Sequence, residues 1–259
     1  MRVMNTEIAA LVRRHDPDRF LTALFAASDK RDALFSLYAF NHELARACEV
    51  AREPHMALIR LQWWREIVEG TRRRHEVATP LSDAIAQGLL VSTDLLPIID
   101  AREIEADRHV ETLTDWRAYL LNGAGGLAVA AARLLGAPDP EALRAAGAAY
   151  GAVGLLRNVP ILAAQGRCLL PADVLAAHGL VPEAITGGAN PGPVLRQLAE
   201  EARVFVDTAR RIRVPKTAIA AALPAVLARR DLPRLGQTFG PRGFGDKCAV
   251  LLAGLTGML

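Results

Sequence analysis

The densest group of chemistry-bearing side chains is a carboxylate stripe: Asp100, Glu103, Asp107 and Glu111 recur at steps of three and four residues. On a helix that spacing puts all four on one face, where oxygen ligands could grip a divalent cation. Arg102, Arg108 and His109 stand among them, and the same pattern equally describes a solvated, salt-bridged surface. Glu49 and Glu53 form a second i, i+4 pair, but Pro54 stops the helix beside them, which makes a weak metal site. The six histidines include no HExxH and no i, i+4 pair, so a histidine metal site lacks local support. Neither GxSxG nor a Walker A loop occurs, and Gly123, Gly125 and Gly126 do not build a dinucleotide fingerprint. The three cysteines, Cys48, Cys168 and Cys248, lie far apart and form no CxxC pair. That argues against a disulfide framework or zinc site and fits a reducing cytoplasm.

The elements that must position these groups read as helices. Leu34, Leu37, Tyr38, Asn41, Leu44 and Cys48 recur at three- and four-residue steps, and Ala57, Leu61, Trp64 and Val68 do the same after Pro54. Further helices are expected over Leu81–Leu90, Ile98–Val110, Trp116–Leu135, Glu141–Ala164, Val194–Ile212 and Thr217–Leu227. Breaks fall at Pro80, Pro97, Gly136, Pro171, residues 187–193, Pro215 and Pro233. Alanine is abundant and strictly alternating β-branched runs are nearly absent, so the fold class is all-α. No connection is long enough for a flexible linker, and residues 1–259 read as one domain. Trp63 and Trp64 must point about 100° apart, one to the core and one toward an interface. Glycines in mid-helix each cost about 1 kcal/mol relative to alanine. Gly123, Gly125 and Gly126, with Gly147, Gly151 and Gly154, therefore mark either close helix packing or room for a bulky ligand.

Composition bounds the function. With 51% hydrophobic side chains and mean hydropathy +0.17, the chain is not a disordered one. A net charge of +3 excludes a strongly electrostatic nucleic-acid binder. Met1–Phe20 lacks a signal-peptide pattern. The apolar stretches Ala218–Ala228, interrupted by Pro224, and Cys248–Leu259 fall short of the ~20 residues that span a bilayer. Arginines 210, 211, 213, 229 and 230 flank both stretches, which leaves a peripheral membrane contact open beside the plainer reading of core helices with solvated ends.

Two runs carry a resemblance. "DALFSLYAFNHELARACE", Asp32–Glu49, and "LLRNVPILAAQGRCLLP", Leu155–Pro171, resemble the two motifs of the squalene/phytoene synthase family. There a similar LYAF run leads into DDxxD, and the second motif reads LRDVxEDxxxGRxYLP. Leu156, Arg157, Val159, Gly166, Arg167, Leu170 and Pro171 keep its spacing, and "LQWWREIVEG" and the stretch Asp100–Gly126 fall in family order. The resemblance implies an isoprenoid-synthase-like helical bundle with a central cavity, faced by the helices that contain Tyr38 and Arg157. In that family, aspartates hold Mg²⁺ against prenyl diphosphates, because a departing diphosphate needs its charge neutralised.

At those positions this chain departs. Ala45 and Arg46 replace the first acidic pair and only Glu49 remains; Asn158 and Leu162 replace the acids of the second motif. The resemblance then implies a non-catalytic relative, without cofactor. Its pocket, formed by Tyr38, Asn41, Arg46, Arg157, Asn158 and Arg167, would take an anion such as an isoprenoid or lipid headgroup directly. The alternative is an active prenyl-diphosphate transferase that uses Mg²⁺ on a displaced set, Glu49, Glu103 and Asp107. "YAFNHELA", "RLQWWREIVEG", "IDAREIEAD" and "LPAVLARRDLPRL" resemble a degenerate branch with a role in assembling respiratory complex I. Its subunits or assembly intermediates are the implied partners. With its own Met1 and no presequence, the chain is expected to be a bacterial relative, cytoplasmic or at the inner face of the membrane.

Overall fold

The computed structural model describes residues 6–51, 53–106, 109–237 and 239–259. The chain opens with α1 (Thr6–His15) and α2 (Pro17–Ala23), separated by Asp16, whose carboxylate accepts the Arg19 amide at 3.0 Å and caps α2. α3 (Ser28–Glu49) follows, buried almost all round between Ala33 and Leu44. α4 (Pro54–Val68) starts on Pro54, α5 (Ala78–Ala86) follows, and α6 (Ser92–Ala106) carries the carboxylates of the sequence stripe. Trp64 enters the core while Trp63 is half-buried, and both rings pack edge-on against His75.

Where one helix is expected over Trp116–Leu135, the chain makes two, α7 (Leu113–Asn122) and α8 (Ala124–Leu134). Gly123 sits between them at φ −76° and ψ −86°, and the Arg144 guanidinium reaches back to the freed Leu121 carbonyl at 2.9 Å. A Thr112/Asp115 capping box fixes the start of α7. The expected helix Glu141–Ala164 divides as well, into a 3₁₀ turn, α9 (Arg144–Arg157) and α10 (Val159–Ala164), because Pro160 withholds an amide. Short helices α11 (Ala172–Ala177) and α12 (Pro182–Thr186) lead to α13 (Gly192–Arg210), which buries Val194, Leu198, Ala202, Val206 and Ala209 on one stripe. Pro224 splits the expected Thr217–Leu227 helix into α14 (Ile219–Ala222) and α15 (Pro224–Asp231). The chain closes with α16 (Phe244–Thr256), ended by Gly257 at φ +77°.

α8 is buried continuously from Gly125 to Ala132, as a helix apolar all round must be. α9 packs on it at a distance only glycine allows. A Cβ at Gly147 would stand 2.2 Å from the Ala124 carbonyl oxygen, and one at Gly151 2.5 Å from the Ala124 Cβ. At Gly154, one turn on, a Cβ would meet nothing within 4 Å, because the helix there borders open space. The small-residue faces thus do both things: they bring two backbones together and then leave a cavity. Among the described residues no β-strand forms, only an isolated bridge between Val110 and Pro171, and no helix is long and apolar enough to cross a membrane.

Candidate functional site

α3 and α9 face each other across a cavity of about 240 Å³. Asn41, Ala45 and Glu49 come from α3 at steps of four; Tyr150, Gly151, Gly154 and Arg157 come from α9. Arg102 and Glu105 of α6, Tyr119 of α7, Asn158, Leu162 and Arg167 complete its chemistry. Of the five positions aligned with the motif acids, four, Ala45, Glu49, Asn158 and Leu162, therefore border one space, and Arg46 does not.

The floor is a buried ion cluster. Glu105 accepts hydrogen bonds from Arg167 at 2.6 Å, from the Tyr119 hydroxyl at 2.7 Å and from Arg102. Arg102 also donates to the Asn41 Oδ1 at 3.1 Å, which ties α6 to α3. Burial works against a charged Glu105, but the two guanidiniums and the phenol outweigh it and hold its carboxyl below the usual range. The same burial, with Glu105 nearby, raises the Tyr119 phenol and pushes the Cys48 thiol up to about 12. Buried Nε–H groups of Arg102 and Arg167 find no hydrogen-bond partner. Arg19, Arg102, Arg157 and Arg167 line the cavity with Glu49 and Glu105, and Arg19 and Arg157 are paired with Asp16 and Asp231 just outside the lining.

A second network closes one side. Arg157 donates to Asp231 at 3.0 Å, Asp231 accepts from Arg242 at 2.7 Å, and Arg242 reaches Asp18 at 2.7 Å. The Tyr150 hydroxyl donates to the same Asp18 at 3.0 Å, and the Arg19 guanidinium lies 4.7 Å from the Tyr150 ring centre. Next to it the rings of His15 and His42 stack at 4.3 Å, and burial followed by the His15 charge lowers the His42 pKa.

Asn41, Arg157, Asn158 and Arg167 thus meet at the cavity, with Glu49 exposed at its rim. Arg46 does not join them. Ala45 turns inward with Asn41 and Glu49, so the next residue, rotated by about 100°, turns out. Arg46 is half-exposed, pairs with Glu43 at 3.4 Å and borders a separate surface groove with Arg60, Trp63, Trp64 and His75. Tyr38 is buried outside the cavity lining, with Arg19 over its ring at 5.7 Å. The displaced acidic set is not assembled either: Asp100 and Glu103 lie on the outer face of α6 and clamp Arg65 at 2.6 and 2.8 Å. Asp107 lies outside the described residues. Glu53 precedes α4 as an extended N-cap residue rather than continuing α3. Arg19, Arg102, Glu105, Tyr119 and Tyr150 escape a reading by motif. Glu105 had a signal: it stands seven residues after Ile98, in the buried register of α6.

Magnesium does not fit this donor set. Alanine and leucine offer no oxygen, Asn158 a neutral one, and Glu105 is already held by three donors. Among the described residues no three His, Cys, Asp or Glu side chains converge on a metal position.

A helical bundle with two sequence motifs facing each other across a central cavity is the architecture of isoprenoid synthases, and solved structures of that class superpose on it. A dehydrosqualene synthase matches with a TM-score of 0.77 at 16% identity, over 97% of this chain and 95% of that one. The squalene synthase HpnC from Alicyclobacillus acidocaldarius matches with a TM-score of 0.73 at 20% identity, over 90% and 94%. The chain belongs to the squalene/phytoene synthase family, which it matches over residues 12–238. Among curated relatives, NADH dehydrogenase (ubiquinone) complex I, assembly factor 6 from Homo sapiens is 29% identical over 84% of this chain and 68% of its own length. The Rattus norvegicus protein of the same name is 30% identical over 83% and 69%.

Proposed function

We propose that this chain is a non-catalytic member of its family that aids the assembly of respiratory complex I, acting on subunits or assembly intermediates of that complex. The observation that carries this reading is the state of the five motif positions: four still border one cavity, yet of those only Glu49 is an acid, the others being Ala45, Asn158 and Leu162, and the fifth, Arg46, turns out of it. Without clustered carboxylates to bind metal, a departing diphosphate lacks the stabilisation that dominates such a step. The name shared by the human and rat relatives supplies the assembly role.

The cavity takes an anionic isoprenoid or lipid headgroup directly, without magnesium. The unpartnered Nε–H groups of Arg102 and Arg167, two residues of its lining, support this, since a buried donor without an acceptor is unfavourable by about 1–3 kcal/mol. On this reading the protein acts in the cytoplasm, peripheral to the inner face of the membrane that holds the complex, and the arginines that flank its apolar C-terminal stretches support it.

Two measurements test the reading. Purified protein with Mg²⁺ and farnesyl diphosphate is expected to release no pyrophosphate above background. Turnover that Glu49→Ala abolishes would establish the prenyltransferase instead. A strain lacking the gene is expected to lose assembled NADH dehydrogenase and to regain it with the wild-type chain; normal assembly in that strain would remove the assembly role.

A further inference from the structure

α16 buries only a narrow side. Asp246, Val250 and Ala253 point inward, and Gly254 lies against the Phe25 ring. On the other side Phe244, Leu251, Leu252 and Leu255 are 84, 50, 61 and 63% exposed. At 3.6 residues per turn these four fall within an arc of about 100°, with half-buried Cys248 near its middle and exposed Lys247 along one border. Met258, just beyond the helix, is exposed as well. A contiguous aliphatic and aromatic stripe of this kind marks an interaction surface rather than ordinary exposure.

Cations stand at both ends of the stripe. At its start Arg230, Arg234 and Arg242 line a cleft of about 380 Å³ with Gly243, Gly245 and Asp246. Their carboxylate partners, Asp18, Asp231 and Asp246, are buried, while Arg230 and Arg234 are each about two-fifths exposed, so the accessible charge of the cleft is positive. No side chain caps the first turn of α16. At the far end Gly257 approaches the Val214 carbonyl, beside exposed Arg213 and Lys216. Arg229 donates to the Leu259 carbonyl at 2.8 Å, just past the end of α16.

We infer that α16 is a membrane-docking helix. It lies flat on an anionic lipid surface, with Phe244, Leu251, Leu252 and Leu255 among the acyl chains and the Arg230–Arg234–Arg242 cleft, with Lys247, at the headgroup phosphates. An anionic bilayer offers a plane of negative charge directly above hydrocarbon, and that layering matches an apolar stripe bordered by cations. The inference rests on the peripheral-membrane reading above and names its surface.

The test uses the purified full chain and vesicle flotation. Wild type is expected to float with vesicles in which about one lipid in three is phosphatidylglycerol, to float about tenfold less with phosphatidylcholine alone, and to be released by salt. Leu251→Glu with Leu255→Glu is expected to remain unbound while keeping its helical circular dichroism, because both side chains already face solvent. Cys48 and Cys168 are buried, so an environment-sensitive fluorophore directed to Cys248 is expected to shift to the blue on vesicle binding. If the double variant floats like wild type, the role of α16 is wrong and the peripheral reading stands. If wild type itself does not float, both fall. A wild-type dimer that the double variant converts to monomer, without flotation, would assign the stripe to a second copy of the chain and overturn the proposal.

Discussion

α6 carries carboxylates on two faces, and they lead different lives. Asp100 and Glu103 face outward and share Arg65; Glu105, two residues past Glu103, faces inward and holds Arg102, Arg167 and Tyr119. Asp100 and Glu103 are about half exposed whereas the Glu105 side chain is 4% exposed. Their chemistry is identical, so helical register alone separates a surface ornament from the cluster that joins α3, α6, α7 and the segment after α10. Water screens the outer pairs, whereas the inner carboxylate has exchanged all its water for protein donors.

The sharpest way to break that comparison is to neutralise each acid without changing its shape. Glu105→Gln strands two buried guanidiniums and is expected to reduce unfolding free energy by about 3–5 kcal/mol. Glu103→Gln is expected to change it by under about 1 kcal/mol. Urea unfolding at neutral pH measures both, and equal losses would show that the register argument is wrong.

Acid sharpens the same contrast. The folded Glu105 carboxyl titrates below its unfolded value, so its contribution is complete above the ordinary carboxylate range and disappears as pH falls through the lowered value. The stability gap between wild type and Glu105→Gln is therefore expected to stay level from neutral pH down to the ordinary carboxylate range and to close below it. A gap that widens on acidification would mean that the carboxyl is protonated in the folded protein.

What the sequence made legible follows from this distinction. The all-α class and the facing of α3 and α9 were readable, because apolar periodicity and the spaced frame of Arg157, Gly166 and Arg167 survive without any acid present. The break at Gly123 was not, since summed helix propensity outvotes one residue whose backbone angles depend on Arg144, more than twenty positions away. Arg46 was misplaced because a motif alignment records order along the chain but not the 100° between neighbours. Glu105 was hidden by the regular stripe of Asp100 and Glu103, which drew the eye to the wrong face. For the stretch that forms α16, core helix and membrane contact both stayed open, because composition reports greasiness and not which side is covered.

The smallest effect concerns the metal that the family uses. At the mouth of the cavity Glu49 is the single carboxylate among the motif positions, and on its floor Glu105 is saturated by donors, so neither region offers Mg²⁺ the clustered oxygens it requires. Anything that binds the folded state alone raises its melting temperature with concentration. Titrating wild type with MgCl₂ at constant ionic strength is therefore expected to leave the melting temperature unchanged, whereas Ala45→Asp combined with Asn158→Asp and Leu162→Asp is expected to make it rise with Mg²⁺. The constant ionic strength matters because screening alone moves the surface pairs of Arg65. A rise in wild type that Glu49→Gln removes would show that one carboxylate suffices at the rim, and the division between a metal-free cavity and its metal-using relatives would have to be redrawn.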